Sequence, residues 1–342
     1  MMKKFLKLIL VLTMSISMIG CSVGEEEVEN EDQENTEEVV EEEEKIETVT
    51  LTLSFVGDIT LGNYAGQGYS GSFDQEYENQ GKDPEYFLKN VKSVFESDDL
   101  TIANLEGPLT EEDSHADKTF AFKGKPEYVK ILTSGGIDAV TLANNHSMDR
   151  FQQGLDDTRE ILTENNIGHF GYAYNYIAEV KGIKIGFLGY SFPQSMSDDM
   201  KNAIHELKEE ADIVIVYYHW GIERDYAPYD GQRQIAHQTI DEGADLVIGS
   251  HPHVLQGIET YNGKKIVYSL SNFCFGGNKN PTDKDSMIYQ HTFTLENKEI
   301  VEESNEIIPC MISSTKSRNN YQPTIVDGDD AQRIIKKVNT IE

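Results

Sequence analysis

Histidine and carboxylate side chains recur where apolar segments of this 342-residue chain end. His251 and His253 lie two residues apart around Pro252 in the segment VIGSHPHVLQG, and His219 and Glu223 follow the apolar segment DIVIVYY. Imidazole nitrogens combined with carboxylate and amide oxygens suit borderline divalent ions such as Mn²⁺, Zn²⁺ or Fe²⁺. The first hypothesis for these residues is therefore a metal site.

Four more polar clusters follow apolar segments elsewhere in the chain. Their residues are Asp58, Asn104, Glu106, Asn144, Asn145, His146, Asp149 and Asn272. A single one would be weak evidence, because a histidine beside a strand is commonly a core residue and an asparagine commonly forms a turn. Recurrence at separate strand ends instead predicts one shared site for one or two divalent ions. Two ions would share a carboxylate and generate hydroxide near neutral pH, and His146 could ligate or donate a proton to a leaving oxygen.

These clusters need a sheet whose strands end at one edge. Strand-like segments, beginning with TVTLTLSFVGD, alternate with helix-like segments such as GLDDTREILTENN and DMKNAIHELKEEA. This alternation predicts a layered α/β fold, in which polar residues at the carboxyl ends of strands form the site. Residues 62–83 predict a Gly-, Tyr- and Ser-rich loop, Asn262–Gly263 predicts a hairpin turn, and DGDDAQRIIKKVNTIE predicts a terminal helix.

The acidic balance excludes one class of partner and disfavours another. The chain has 29 Lys and Arg against 60 Asp and Glu, for a net charge of −31. Nucleic acid binding requires a basic surface and is not expected. Binding of a long polyanion is also disfavoured unless metal ions assist it.

The first 20 residues predict a secretory signal peptide, because three lysines precede a short apolar run diluted by Thr and Ser. The ending MIGC resembles a bacterial lipobox, which implies cleavage before Cys21 and lipid attachment to its sulfur. An ordinary signal peptide with an incidental Cys is the alternative. Residues 21–47 then comprise the lipidated Cys and an acidic, disordered tether. We expect a lipid-anchored protein on the extracellular face of the cell membrane.

The rest of the chain is long enough for one large α/β domain. We place this domain at residues 48–309, followed by a C-terminal extension with a terminal helix at residues 310–342. Cys274 and Cys310 could form a disulfide outside the cell or remain free thiols, and the sequence leaves both open.

Six motifs, in chain order, carry a family resemblance: GDITLG, NLEGPL, LANNHSMD, YYHWGIE, GSHPHVLQG and YSLSNF. Together they resemble the CapA family of poly-γ-glutamate capsule biosynthesis proteins, which is similar to the calcineurin-like metallophosphoesterases. The resemblance covers roughly residues 50–280. It implies an α/β fold of the metallophosphoesterase type, a layered α-β-β-α sandwich.

The resemblance also implies roles for individual residues. The implied metal ligands are Asp58, Glu106, Asn145, His219, His251 and His253, with Glu106 standing for a bridging carboxylate. The implied catalytic residues are His146, as proton donor, and Asp149. The candidates for substrate contact or for orienting a ligand are Asn104, Asn144, Glu223, Arg224 and Asn272, although Glu223 and Arg224 could equally be plain surface residues. Thr60 stands where the phosphoesterase motif has a histidine.

The function implied is support of poly-γ-glutamate capsule synthesis or export, with possible metal-dependent hydrolysis of an anionic polymer or a phosphoester. The alternative is a non-catalytic scaffold or polymer-binding component of a membrane-embedded polymer synthase. A solute-binding lipoprotein is a third reading, suggested by the anchor and tether alone.

Overall fold

The structure, a computed structural model, describes residues 46–339. The predicted signal peptide, Cys21 and nearly all of the predicted tether lie outside the described residues. Those that are described belong to one compact unit, Ile46–Glu342. Among their helices, none has the length and apolar character needed to cross a membrane.

This unit is built from short helices and two large sheets. The strands are β1 Thr48–Thr60, β2 Asn63–Tyr64, β3 Leu100–Leu105, β4 Phe122–Lys123, β5 Ala139–Thr141, β6 Gly168–Phe170, β7 Tyr176–Val180, β8 Ile183–Ser191, β9 Ile213–His219, β10 Leu246–Ser250, β11 Ile258–Tyr261, β12 Lys264–Val267, β13 Asn272–Phe275, β14 Asp285–Glu296, β15 Glu299–Met311 and β16 Thr324–Ile325. The helices are α1 Phe73–Asn79, α2 Glu85–Leu88, α3 Lys92–Phe95, α4 Val129–Gly135, α5 Phe151–Glu164, α6 Asp198–Glu210, α7 Asp230–Asp241 and α8 Gly328–Val338.

The first large sheet is centred on β1. Its strand order is β16-β15-β14-β1-β3-β5-β6, and β13 also pairs with β1. β3 and β13 run parallel to β1, and their register places Asp58 beside both Asn104 and Asn272. Strand pairing alone therefore brings three predicted site residues to one edge.

The second large sheet has the order β11-β12-β10-β9-β8-β7. β8 and β10 run parallel to β9, and their last residues, Ser191 and Ser250, both pair with His219. The chain therefore leaves β10 directly beside His219, and its next residue is His251. β11 and β12 form the antiparallel hairpin predicted around Asn262–Gly263.

Buried apolar residues form three layers. They lie between the sheets (Phe55, Ile215 and Ile248), between the first sheet and its helices (Ile59, Phe87, Leu132 and Leu155), and between the second sheet and its helices (Val216, Ile204 and Ile235). Each sheet thus covers one face with the other sheet and one face with helices, as stable layered folds require. The predicted layered α-β-β-α sandwich is confirmed.

One predicted loop contains a helix. α1 lies inside residues 62–83, and the Ser72 hydroxyl caps it by accepting a hydrogen bond from Gln75 N at 3.3 Å. Phe73 and Tyr77, four residues apart, are buried on one face of this helix. The loop prediction was wrong for these residues, because neighbouring Gly and Ser residues obscured this spacing.

The described C-terminal residues pack against the first sheet. β15 runs continuously across the predicted boundary between residues 309 and 310. α8 places Ile334 and Val338 in the apolar layer between the sheets. Arg333 and Lys337 of this helix also bind the Asp285 carboxylate on β14, at 2.7 and 2.6 Å.

Both cysteines of the domain are buried free thiols. Cys274 donates a hydrogen bond to the Tyr321 carbonyl at 3.3 Å. Burial raises the pKa of Cys310 to about 12 and that of Cys274 further, so neither forms a thiolate readily. Of the two alternatives left open by the sequence, the structure has free thiols.

Candidate metal centre

Two buried carboxylates, Asp58 and Glu106, lie at the centre of the site, and neither side chain is exposed to solvent. Asn104 Nδ2 donates to Asp58 Oδ1 at 2.7 Å, and Thr60 Oγ1 donates to Glu106 Oε2 at 3.3 Å. The other Glu106 oxygen, Oε1, has no hydrogen-bond partner among the described residues. Leaving a buried carboxylate oxygen unpaired is costly, so this atom is suited to bind a cation.

Three imidazoles surround this oxygen. Their Nε2 atoms lie 3.5 Å (His219), 3.9 Å (His146) and 4.0 Å (His253) from Glu106 Oε1. These separations are too long for hydrogen bonds. Ligand atoms bound about 2.0–2.2 Å from one ion are themselves roughly 3–4 Å apart. The spacing therefore fits coordination of a divalent ion.

The possible ligands form two groups that share Glu106. One group is Glu106, His219 and His251, the other is Asp58, Glu106 and His253, and the ligand atoms within each lie within 4.8 Å of one another. A shared carboxylate is the arrangement that two neighbouring ions require. The donor set thus fits one or two divalent ions, with Glu106 between them.

The loop that carries His251 and His253 has a strained backbone. Their φ angles are 100° and 55°, in the left-handed region that non-glycine residues rarely adopt. Strain of this kind costs about 1–3 kcal/mol per residue and is concentrated at functional sites. The loop is held by His251 N, which donates to Asp58 Oδ2 at 3.3 Å, and by His253 Nδ1, which lies 2.9 Å from Asn272 Oδ1.

Burial sets the protonation of the imidazoles. It lowers the pKa of His219 well below its ordinary value and that of His251 to about 4, so both are neutral, the form that binds metal. Burial also lowers the pKa of His253, but the Glu106 and Asp58 carboxylates outweigh it and raise the value to about 9. An imidazolium at His253 therefore balances part of the carboxylate charge, and this ring would bind an ion only after losing a proton.

The carboxylates respond to the same surroundings in opposite directions. Burial, followed by the Asp58 charge, raises the pKa of Glu106 well above its ordinary value. Burial also raises the pKa of Asp58, but the hydrogen bonds from His253 and Asn104 and the charge of His253 outweigh it, so the net pKa is lowered. Two adjacent buried carboxylates do not both ionise easily without added positive charge.

Amide side chains complete and orient the ligand set. Asn145 Oδ1 lies 2.7 Å from His219 Nε2, and His251 Nδ1 lies 3.1 Å from the same nitrogen. Behind them, Asn144 Nδ2 donates to Asn104 Oδ1 at 3.0 Å, and Asn104 in turn donates to Asp58. Asn145 Oδ1 therefore lies among the candidate ligand atoms, while Asn104 and Asn144 fix the position of Asp58.

His146 lies beside the ligands and is held from behind. Its Nδ1 lies 2.8 Å from Asp149 Oδ2, and its ring contacts Phe122 edge-on with centroids 4.5 Å apart. Asp149 also accepts from Phe122 N at 2.6 Å and is paired with Lys118. Burial lowers the pKa of His146, although Asp149 opposes the shift. Asp149 therefore orients the His146 ring.

Two of the predicted residues lie apart from this cluster. Glu223 and Arg224 are exposed on the loop between β9 and α7, and they line a cleft that begins at His146 and His253. Neither contacts a ligand imidazole. Asn272, in contrast, contacts His253 directly.

Sequence reasoning missed several residues that support the cluster. Phe192 packs edge-on against His251 and His219, with centroids 4.5 and 5.6 Å away. Ser250 Oγ lies 3.2 Å from His219 Nδ1, and Lys118 donates to the Asn145 carbonyl at 2.8 Å. Phe192 directly follows β8, and this position at a strand end is the one feature of the sequence that could have indicated it. An apolar side chain there does not suggest a metal site.

Sequence comparison relates this chain to bacterial capsule synthesis proteins. The sequence model of the family described as "Bacterial capsule synthesis protein PGA_cap" matches residues 52–277. PGA biosynthesis protein CapA of Bacillus subtilis (strain 168) is 33% identical over an alignment of 266 positions, which covers 70% of this chain and 67% of that protein. Capsule biosynthesis protein CapA of Bacillus anthracis is 31% identical over an alignment of 276 positions, which covers 72% of this chain and 64% of that protein.

The matched family region contains both carboxylates, Asn145 and all of the candidate ligand histidines. It accounts for well over half of the chain, and the similarity to the Bacillus subtilis protein extends over most of the domain. The chain therefore belongs to the bacterial capsule synthesis protein family PGA_cap.

Proposed function

We propose that this protein takes part in poly-γ-glutamate capsule synthesis or export on the extracellular face of the membrane, where a lipid on Cys21 anchors it. Family membership and the names of the two Bacillus relatives support the process. The MIGC sequence and the acidic tether support the location. A membrane-embedded polymer synthase is the partner that this location and process suggest.

The chemical part of the proposal is a divalent-metal centre of one or two ions. The observation that carries it is Glu106 Oε1, a buried and unpaired oxygen shared by two ligand groups. The residues that would hold the ions are Asp58, Glu106, Asn145, His219, His251 and His253. When bound, Mn²⁺, Zn²⁺ or Fe²⁺ would supply a Lewis acid that polarises a phosphoester or amide oxygen and lowers the pKa of water.

The remaining residues suit hydrolysis. His146 presents Nε2 toward Glu106, and Asp149 bound to Nδ1 fixes the ring orientation. A proton held at Nε2 can pass to the leaving oxygen or nitrogen of a substrate, as general acid catalysis requires. Asp149 is in this proposal a positioning residue whose carboxylate stabilises the protonated ring.

A second candidate function is a non-catalytic scaffold or polymer-binding component of the synthase. Thr60 favours it, because its hydroxyl binds Glu106 where the phosphoesterase motif would supply a further imidazole. The group around Asp58 then has three ligands only, among the described residues.

Metal content and turnover measured on the same samples separate these functions. For the hydrolase, we expect slow metal-dependent turnover of an aryl phosphate, reduced roughly 100-fold or more by His146→Asn with the metal retained. His169→Asn, a histidine away from the site, is the matched control and should match the wild type. Bound metal without turnover above the His146→Asn level would instead identify the scaffold.

A further inference from the structure

A cleft of about 580 Å³ opens beside the candidate metal centre. His146 and His253 form one end of it, so a ligand in the cleft would reach the centre directly. Asn278 and Asn280, which we call the floor, also line the cleft, as does Arg224. None of these three residues belongs to the six family motifs, and Asn278 and Asn280 lie beyond residue 277, where the family match ends.

Arg224 is fixed next to the histidine loop. Its backbone N donates to the Pro252 carbonyl at 2.7 Å, and its φ of 63° is left-handed. No ion pair joins its guanidinium to another residue in the described part of the chain. Of the two acidic residues that line the cleft, Glu223 forms no ion pair with Arg224, and Asp283 is bound by Lys337 and by the Tyr226 hydroxyl, each at 2.7 Å. Arg224 is thus an uncompensated cation in an acidic protein.

The floor adds neutral donors. Asn278 Oδ1 accepts from Asn280 N at 2.9 Å, and Asn280 Oδ1 accepts from Lys284 Nζ at 2.8 Å. With both oxygens engaged, the two Nδ2 groups have no hydrogen-bond partner among the described residues. These free donors, together with the Arg224 guanidinium, complement a ligand rich in acceptor oxygens.

Aromatic side chains also line the cleft. Phe120 is 48% exposed and packs edge-on against Tyr64, with ring centroids 5.0 Å apart. Tyr64 packs in the same way against Phe122, 6.1 Å away. An exposed aromatic surface in the same cleft as polar donors suits a chain whose methylene groups alternate with polar groups.

The C-terminal part of the chain holds this floor in place. Asn319 is fully buried and donates through Nδ2 to the Phe275 and Asn278 carbonyls, at 2.8 and 2.9 Å. Lys279 Nζ donates to the Gly68 and Ser70 carbonyls and so joins the floor to the loop behind Tyr64. The cleft is therefore preorganised before a ligand binds, which limits the entropy lost on binding.

We propose that this cleft binds a polyamide chain bearing free carboxylates, with Arg224 pairing one carboxylate and Asn278 and Asn280 donating to its oxygens. The Arg224 guanidinium can pair with one carboxylate bidentately, and the exposed ring of Phe120 suits the methylene groups that an inorganic polyphosphate lacks. The net charge of −31 repels any polyanion at long range, so recognition depends on these short-range groups. The inference rests on the proposed function, because it places this chain against the metal centre.

The test is equilibrium binding of a fluorescent γ-linked glutamate decamer to the metal-loaded full-length protein. We expect Arg224→Gln to weaken binding roughly 10- to 100-fold. Asn280→Asp keeps the Lys284 contact but replaces a donor with an acceptor, and should weaken binding about 10-fold. Lys130→Gln, an exposed change of equal charge elsewhere, should bind as the wild type does. A γ-linked glutamine decamer is neutral and cannot pair with Arg224. Its affinity for the wild type should be no higher than the affinity of the acidic decamer for Arg224→Gln.

Three outcomes would overturn the inference: no binding by metal-loaded wild type, binding unchanged in both variants, or equal Arg224-dependent binding of an inorganic polyphosphate. Metal content determined on each sample keeps the two proposals apart. Protein that binds metal but not the decamer refutes the cleft assignment alone, whereas protein that cannot be loaded with metal refutes the metal centre.

Discussion

Glu106 is the residue on which two-ion binding depends. It is buried beside Asp58, its Oε1 is unpaired, and it belongs to both ligand groups. Two neighbouring carboxylates shielded from water repel each other, and positive charge from His253 offsets only part of that repulsion. A bound cation would relieve the repulsion and satisfy the unpaired oxygen together.

This residue gives a stability prediction. Metal at about 100 times its Kd adds about 2.7 kcal/mol to the free energy of unfolding, which is several degrees in Tm for a domain of this size. We expect EDTA to lower the Tm of the wild type by several degrees and to leave the Tm of Glu106→Gln unchanged. Glu160→Gln, an exposed control, should respond as the wild type does. An equal EDTA effect in Glu106→Gln would show that the metal binds elsewhere.

At this scale the sequence predicts which residues meet but not what each one does. Asp58, Glu106, Asn145 and the histidines are found because each follows an apolar strand. Asp149 and Glu223 also follow apolar strands, yet Asp149 orients His146 whereas Glu223 is exposed and lines the cleft. That difference depends on side-chain directions in loops, which no periodicity encodes.

At the scale of elements, strand register does most of the positioning. Parallel pairing places Asp58 beside Asn104 and Asn272 in one sheet, and His219 beside Ser250 in the other. Parallel strands end at the same edge of a sheet, and the two sheets face each other across the apolar layer that contains Phe55 and Ile248. The two edges consequently supply one site.

Most helices and strands follow from hydrophobic patterning, but the long β14–β15 hairpin does not. β14 has buried residues along most of its length, whereas β15 carries many exposed charged residues because one of its faces is open to solvent. Its turn, Asn297–Lys298, has positive φ at both residues without a glycine to signal it. Charged, half-exposed strands of this kind lack the apolar alternation by which strands are predicted.

The docking of α8 gives a pH-dependent prediction. Burial raises the pKa of Asp285, but hydrogen bonds from Arg333 and Lys337 outweigh it and lower the net value. Because the folded-state pKa is depressed, this stabilisation is complete above the unfolded-state value of about 4. It is lost as the pH falls through the lower folded-state pKa.

Asp285→Asn should therefore lower the free energy of unfolding by about 1–3 kcal/mol at neutral pH. The difference from the wild type should shrink as the pH falls below about 4. Urea unfolding across this pH range measures both effects. Asp329→Asn, exposed on the same helix, is the control. A difference that stayed constant with pH would exclude the Asp285 ion pairs as its cause.

At the scale of the whole molecule, the acidic chain is expected to act next to a membrane. If lipid on Cys21 anchors it, Cys21→Ser should move the protein from the membrane fraction to the medium or the soluble extracellular fraction. Immunoblotting of fractionated cells measures this, with Cys274→Ser, a buried thiol, as the control. Equal membrane association of Cys21→Ser and the wild type would refute lipid anchoring through this residue.

The central claim is that the carboxylate and histidine cluster is a metal centre. Elemental analysis by mass spectrometry of residues 46–342, purified without chelators from medium supplied with Mn, Zn and Fe, tests it most directly. We predict one or two equivalents of a divalent metal, lost when His219 and His253 are both replaced by Ala, in protein that remains folded. Less than about a tenth of an equivalent in the wild-type protein would contradict the claim.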